Sequence, residues 1–188
     1  MSTLAELIAR ARSHPGALNY STPGIGTVPH LATELLKLDT GIDMVHVTYP
    51  GAAPAAQSIL TKTVEVAAMS VAVALPLIEA GTLKGLAVTS HDRWPELPTV
   101  PTAAEAGFPA ASADTWQGIM APAGAPKEDI ARLATALIEI VTRSDIRDKL
   151  LHAGFRATGK GPGEFRARIV SEVPKWKDVI AKAHIKAE

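Results

Sequence analysis

Four short β-rich runs, separated by stretches of helical periodicity, constrain this chain more than any other feature. "ALNYS" (17–21), "DMVHVTY" (43–49), "VEVAAM" (64–69) and "KGLAVTS" (84–90) read as strands. Between them, Leu31, Leu35, Leu36 and Leu38 form one helical stripe that ends near Gly41. An alanine-rich helix is expected over 52–60 and a third helix over 71–80. Strands alternating with helices of this length predict βαβ units and a largely parallel sheet, an α/β lobe over roughly residues 3 to 120.

The flanking sequence is punctuated differently. Thr3 and Glu6 fit a capping box, with Leu4, Leu7, Ile8 and Ala11 on one face and Pro15-Gly16 as the stop, so the chain opens on a helix with no strand before it. The run 91–111 holds Pro95, Pro98, Pro101 and Pro109, which argues for a packed loop; inside it Thr102 and Glu105 form a second capping box, for one short helical turn closed by Gly107. "DTWQGIMAPAGAP" (114–126) reads as extended, and residues 121–188 as a helical segment. Ile130, Leu133, Leu137, Ile138 and Val141 form one stripe; Ser144 caps a short helix ending at Gly154. Pro162 opens a last helix on Phe165, Ile169, Val173, Trp176 and Ile180, with a kink expected at Pro174. These helices need a sheet to cover, and little β-structure follows residue 120.

Several functions are disfavoured. Lys plus Arg equal Asp plus Glu at 19 each, and with three Phe, three Trp and two Tyr there is neither a basic field nor a stacking platform for nucleic acid. The absence of cysteine removes thiolate catalysis and disulfides. The six histidines show no metal-ligand spacing, and Ser70 lacks the Gly-x-Ser-x-Gly elbow, so no catalytic residue, metal or cofactor is expected. No apolar run spans a bilayer, and no signal-peptide core follows Met1, which reads as cytoplasmic if Met1 is the true start.

The stretch most suggestive of chemistry is "NYSTPGIGTVPH" (19–30): a strand, two glycines and a helix start. Glycines let backbone N–H groups turn toward an anion, and the helix dipole favours negative charge there. Pro29 stands where a dinucleotide fingerprint needs its third glycine, and no Lys-Ser/Thr pair makes a phosphate loop, so a small carboxylate fits better than a nucleotide. A tight turn with Thr27 as N-cap explains the same residues without a ligand. "TYPGAAPA" (48–55) repeats the logic, with Tyr49 ending a strand, Gly51 allowing close approach and the amides of Ala52 and Ala53 free. His30 either donates to a ligand carboxylate or makes a local hydrogen bond, and Trp116 either lines a cleft or packs in the core.

"LNYSTPGIGTVPHLATELLK", "VHVTYPGAAPA", "IEAGTLKGLAVTS", "RWPELPTVPTAAEAGFP" and "TWQGIMAPAGAP" resemble, in order and spacing, the Bug family of periplasmic substrate-binding proteins of tripartite tricarboxylate transporters. The resemblance implies a type II periplasmic-binding-protein-like lobe over 1–120, the family's second lobe. Residues 121–188 would be helices of a first lobe that is mostly missing, as in an N-terminally truncated chain. It also implies a small carboxylate ligand, transporter subunits as partners, a periplasmic location and no catalysis. By resemblance the ligand-binding residues are Ser21, Thr22, Gly24, Gly26, Thr27 and His30, with Tyr49, Gly51 and Ala52 on a second cleft loop and Ser70 and Trp116 nearby. Where the family often carries an acid after the third strand, this chain has Met69 and Ser70, which argues against amino-acid ligands. A homo-oligomer through the C-terminal helices is expected. The alternatives are a small α/β enzyme acting on a carboxylate or phosphate ester, and a remnant that binds nothing and oligomerises.

Overall fold

The computed structural model describes residues 1–186. Three parallel strands, β1 (Asn19–Thr22), β2 (Val45–Thr48) and β3 (Val66–Ala67), lie in the order β2-β1-β3. Tyr20 pairs with His46 and Val66, and Ser21 with Val47 and Ala67. Helix α1 (Leu4–Ser13) precedes β1, and α2 (Val28–Thr40), α3 (Ala52–Leu60) and α4 (Val71–Glu79) follow β1, β2 and β3 in turn. The expected parallel α/β lobe is present.

Alternation along β1 places the helices on opposite faces. Tyr20 reaches Glu34 of α2, while Ser21, one residue on, donates to the carbonyl of Ala55 on α3 at 3.1 Å. On the Tyr20 face, Leu4, Leu7, Ile8 and Ala11 of α1 meet Leu18, Leu36, Ile42, Met44 and Ala103 in one buried cluster. Helix ends follow the sequence signals closely. The Glu6 amide donates to Thr3 Oγ1 at 3.1 Å, although the Glu6 carboxylate takes the amide of Ser2, at 2.6 Å, instead of the N-cap's own. Gly41, in the left-handed region at φ +66°, ends α2.

Two expectations need correction. "KGLAVTS" is not a fourth strand: one parallel bridge, Val88 to Thr102, is all the ladder it forms, because the neighbour it bridges to is the proline-rich loop itself. The Thr102–Glu105 box is complete, with reciprocal bonds of 2.8 and 3.0 Å, but closes a run of turns and not a helix. Its hydrogen bonds organise the turn before Gly107.

Among the described residues, 1–115 and 177–186 form one compact unit and Trp116–Trp176 a second. From the sequence the ligand-binding lobe is expected to end at 120, with 121–188 a helical segment of the first lobe. The second unit contains α5 (Lys127–Thr142), α6 (Ser144–His152) and most of α7 (Pro162–Lys182). Arg143 and not Ser144 is the N-cap of α6, and its side chain makes no cap bond. No residue from 116 to 176 is buried. Leu133, Ile140, Val170 and Val173 stand among the exposed large apolar residues.

Neighbours at the start of β2 separate core from edge. Met44 is 2% exposed and Val45 46%. Met44→Ala should lower unfolding free energy by about 2–5 kcal/mol, and Val45→Ala by no more than about 1 kcal/mol. Urea titrations measure both, and equal losses would contradict this packing.

Candidate functional site

Parallel pairing brings three helix starts to one sheet edge, since α2, α3 and α4 each begin just past the carboxyl end of a strand. The order β2-β1-β3 reverses direction between β1 and β3, the position where open α/β sheets hold ligands. None of the segments 20–29, 48–54 and 67–72 carries a charged side chain. Any attraction for an anion there comes from amides and helix dipoles.

The glycine turn is strongly bonded within itself. Gly24 and Gly26 both have positive φ, +151° and +74°. The Gly24 carbonyl accepts from Thr27 Oγ1 at 2.7 Å and from the Thr27 amide at 3.4 Å. Thr27 is the N-cap of α2, but its hydroxyl bonds back into the turn and not onto the helix. The Gly26 amide donates to His30 Nδ1 at 3.0 Å, so His30 makes a local hydrogen bond, and at 5% exposure it offers little to a ligand. Ser21 and Thr22 are wholly buried: Ser21 is bonded to Ala55, and Thr22 Oγ1 lies 2.7 Å from His46 Nε2. Those two hydroxyls hold the lobe together.

The other two turns are more open. The amide of Tyr49 extends the ladder to Thr22 O at 3.1 Å, and the Gly51 amide folds back on Tyr49 O at 2.9 Å. Gly51, at φ +121°, caps α3 with no side chain, and among the described residues the amides of Ala52 and Ala53 have no backbone acceptor. Ser70 caps α4 in extended conformation, and its hydroxyl makes no cap bond. The sheet thus gathers Gly24, Gly26, Thr27, Gly51, Ala52 and Ser70 at one edge. A larger concavity of the same unit, about 600 Å3 and lined by residues including Thr3, Leu83, Lys84, Val100 and Glu105, lies elsewhere. Its carboxylate is already engaged by Arg93 and Thr102.

Behind the glycine turn lies a polar cluster that reading the sequence missed. The Tyr20 hydroxyl donates to Glu34 Oε1, which also takes Lys37 Nζ at 2.8 Å. His30 stacks on His46 at 4.0 Å between centroids, and His46 stacks on Tyr20 at 4.9 Å. Burial, reinforced by Glu34, pushes the Tyr20 hydroxyl far above its ordinary pKa. Burial lowers His30, and burial together with the neighbouring His30 lowers His46 to about 4. The spacing of His30, Glu34 and Lys37 on one helical face was the available signal; the leucine stripe beside it drew the attention.

Trp116 belongs to the second unit, whereas the residues above belong to the first. Its indole N–H donates to Glu172 Oε2 at 2.8 Å, the same oxygen that Trp176 approaches at 3.4 Å, while Arg168 binds Glu172 Oε1 at 2.7 Å. Phe165 meets the Trp116 ring edge-on at 5.0 Å.

A family model described as tripartite tricarboxylate transporter family receptor matches residues 1–185. A UPF0065 protein from the tcbD-tcbE intergenic region of a Pseudomonas species is 33% identical over 98% of this chain and 55% of its own length. BugT of Bordetella pertussis is 30% identical over 99% of this chain and 57% of its own. Among solved structures, an R. palustris protein with adipate has TM-score 0.88 at 32% identity, covering 98% of this chain and 62% of that one. MatC from Rhodopseudomonas palustris, with bound malate, has TM-score 0.80 at 28% identity, covering 95% and 62%. The chain therefore spans little more than half the length of these two curated relatives.

The Glu172 contacts carry a pH signature. Burial opposes ionisation of this carboxyl, but donors on Trp116, Arg168 and Trp176 outweigh it and hold the pKa below the usual range. A depressed folded pKa contributes stability that is complete above the ordinary carboxylate range and is lost as pH falls through the lower folded value. Tryptophan emission should follow that acid limb in the native protein, whereas Glu172→Leu should already show altered emission at neutral pH. Identical emission and acid limbs in both proteins would tell against this arrangement.

Proposed function

This chain belongs to the tripartite tricarboxylate transporter receptor family, and on that premise we propose that it binds small carboxylates as part of a periplasmic receptor serving membrane transporter subunits, and catalyses no reaction. The observation that carries the reading is the set of three charge-free helix starts at one sheet edge, at the reversal of strand order. In this reading the amides of Ala52 and the start of α4, with the Ser70 hydroxyl, hold one carboxylate oxygen set. Gly24, Gly26 and Thr27 shape the facing wall, and Tyr49 and Gly51 bound it. The relatives solved with adipate and malate support a dicarboxylate as the ligand class. With Met69 and Ser70 after β3 there is no acid to meet an ammonium group, so dicarboxylates are favoured over amino acids. Nothing converges on this edge that resembles an acid–base pair, which disfavours the enzyme alternative.

An isolated edge leaves the ligand half hydrated, so binding by this chain should be weak, about −4 kcal/mol or a millimolar dissociation constant. NMR titration with adipate, malate and glutamate is the test. Shifts should appear at Gly24, Gly51, Ala52 and Ser70 with the first two and not with glutamate. A hydrogen bond to a charged group contributes about 1.5–3 kcal/mol, so Ser70→Ala should weaken binding about ten- to a hundredfold, and Thr27→Val, which removes the hydroxyl that holds the turn to the Gly24 carbonyl, should weaken it through the facing wall. No shifts with any carboxylate, or unchanged affinity in both variants, would refute the site.

The helical unit suggests a second property. With no buried residue over 116–176 and with Leu133, Ile140, Val170 and Val173 exposed, its apolar faces are left in water. Each large side chain covered contributes about 1.5–3 kcal/mol, and we propose that a second copy covers them about a two-fold axis. Sedimentation at micromolar concentration should show a dimer that Leu133→Asp with Val173→Asp returns to monomer; a monomer in the unaltered chain refutes this.

A further inference from the structure

The glycine turn is held at two points by two histidines. His30 Nδ1 accepts the Gly26 amide at the tip of the turn, at 3.0 Å. His46 Nε2 lies 2.7 Å from Thr22 Oγ1 at its base, and that hydroxyl also faces the Gly24 carbonyl at 3.3 Å and takes the Gly24 amide at 3.4 Å. The two imidazoles are stacked nearly parallel, 4.0 Å apart at 12°. We propose that His30 and His46 are positioning residues that hold the glycine turn in its bonded form only while both rings are neutral, making the turn an acid-sensitive element.

The chemistry follows from the bonds. A ring nitrogen that accepts an N–H has no proton of its own, so neutral His30 carries its proton on Nε2. Protonation places a hydrogen on Nδ1, turns the acceptor into a donor, and sets two N–H groups against each other at Gly26. A second charge on His46 would add repulsion across the stack. The His30 ring has the less room to relax, since His46 is only half-buried. His30 is 5% exposed, and beside the pair is a small cavity of about 260 Å3 lined by Ile25, Glu34, Lys37, Ala183, Ile185 and Lys186 as well as the two rings.

The titratable groups facing the pair are Tyr20 on β1, Glu34 and Lys37 on α2, and Lys186 after α7. Glu34 alone favours the charged imidazoles, and it is already bonded to Tyr20 and neutralised by Lys37. Burial is the larger influence and lowers both rings, His46 to about 4. Because the folded values lie below those of the unfolded chain, stability falls as pH drops below the usual histidine range and goes on falling toward the folded values. That the turn forms one wall of a carboxylate site rests on the reading above; its response to acid does not.

Amide exchange and imidazole tautomers, read by NMR on the ligand-free 188-residue chain, test the inference whether or not any carboxylate binds. At neutral pH His30 should be the Nε2–H tautomer, and exchange of the Gly26 amide should be slow. On acidification, after correction for intrinsic exchange, Gly26 should lose at least tenfold of its protection with the same midpoint as His30 protonation. His30→Asn, whose Oδ1 can stand where Nδ1 stood, should keep Gly26 protected and abolish its pH response, while His30→Leu should leave it unprotected throughout. If His30→Leu does not fold, the native pH series and His30→Asn decide the matter. An Nδ1–H tautomer at neutral pH, Gly26 protection that ignores His30 protonation, or an unchanged pH response in His30→Asn would overturn the proposal.

Discussion

Strand β1 lies between two parallel neighbours and beneath helices on both faces, so its side chains are cut off from water. Tyr20, Ser21 and Thr22 are nevertheless all hydroxylic, and all are wholly buried. Each must find its partner inside the lobe, because an unpaired buried hydroxyl costs more than its bond would contribute. Tyr20 finds Glu34, Ser21 finds the Ala55 carbonyl, and Thr22 finds His46 and the Gly24 backbone. These partners tie α2 to one face, α3 to the other, and the glycine turn to the end of the strand. The placement of the three helix starts depends on that one strand being satisfied in both directions.

What could be read from residues alone was local. Thr3, Gly41 and the Thr102–Glu105 box announce their geometry because a cap needs only near neighbours. The first three strands were recognisable because each is bounded by turn residues and followed by a helical stripe. The run 84–90 has the same β-rich composition and yet makes a single bridge, since a ladder also needs a partner strand that composition cannot supply. The positive φ at Gly24, Gly26 and Gly51 was likewise legible, whereas the polar cluster behind them was not. It is assembled from β1, β2 and α2 by the register that sets Tyr20 beside His46, and register is a property of the sheet.

The helices after residue 126 show the converse. Their stripes are clear in the sequence, and the helices form where the stripes say. Amphipathic periodicity states that a face wants covering and is silent about what covers it. Here α5 and α6 bury no residue, and α7 buries only Val179, beyond the end of the second unit. Correct secondary structure and a missing core coexist in one segment, which is why helix propensity is a poor guide to where a folded body is complete.

The two tryptophans on Glu172 have a consequence for how such a chain can be rearranged. Trp116 is the first residue of the second unit and Trp176 its last, and both indoles donate to one carboxylate oxygen. The two end residues of the segment are therefore linked through one side chain, each within an indole's reach of the same carboxylate. A stretch of chain with juxtaposed ends can be excised, exchanged or inserted elsewhere without stretching the host. Residues 116–176 have the geometry of a cassette, and the shared carboxylate is its clasp.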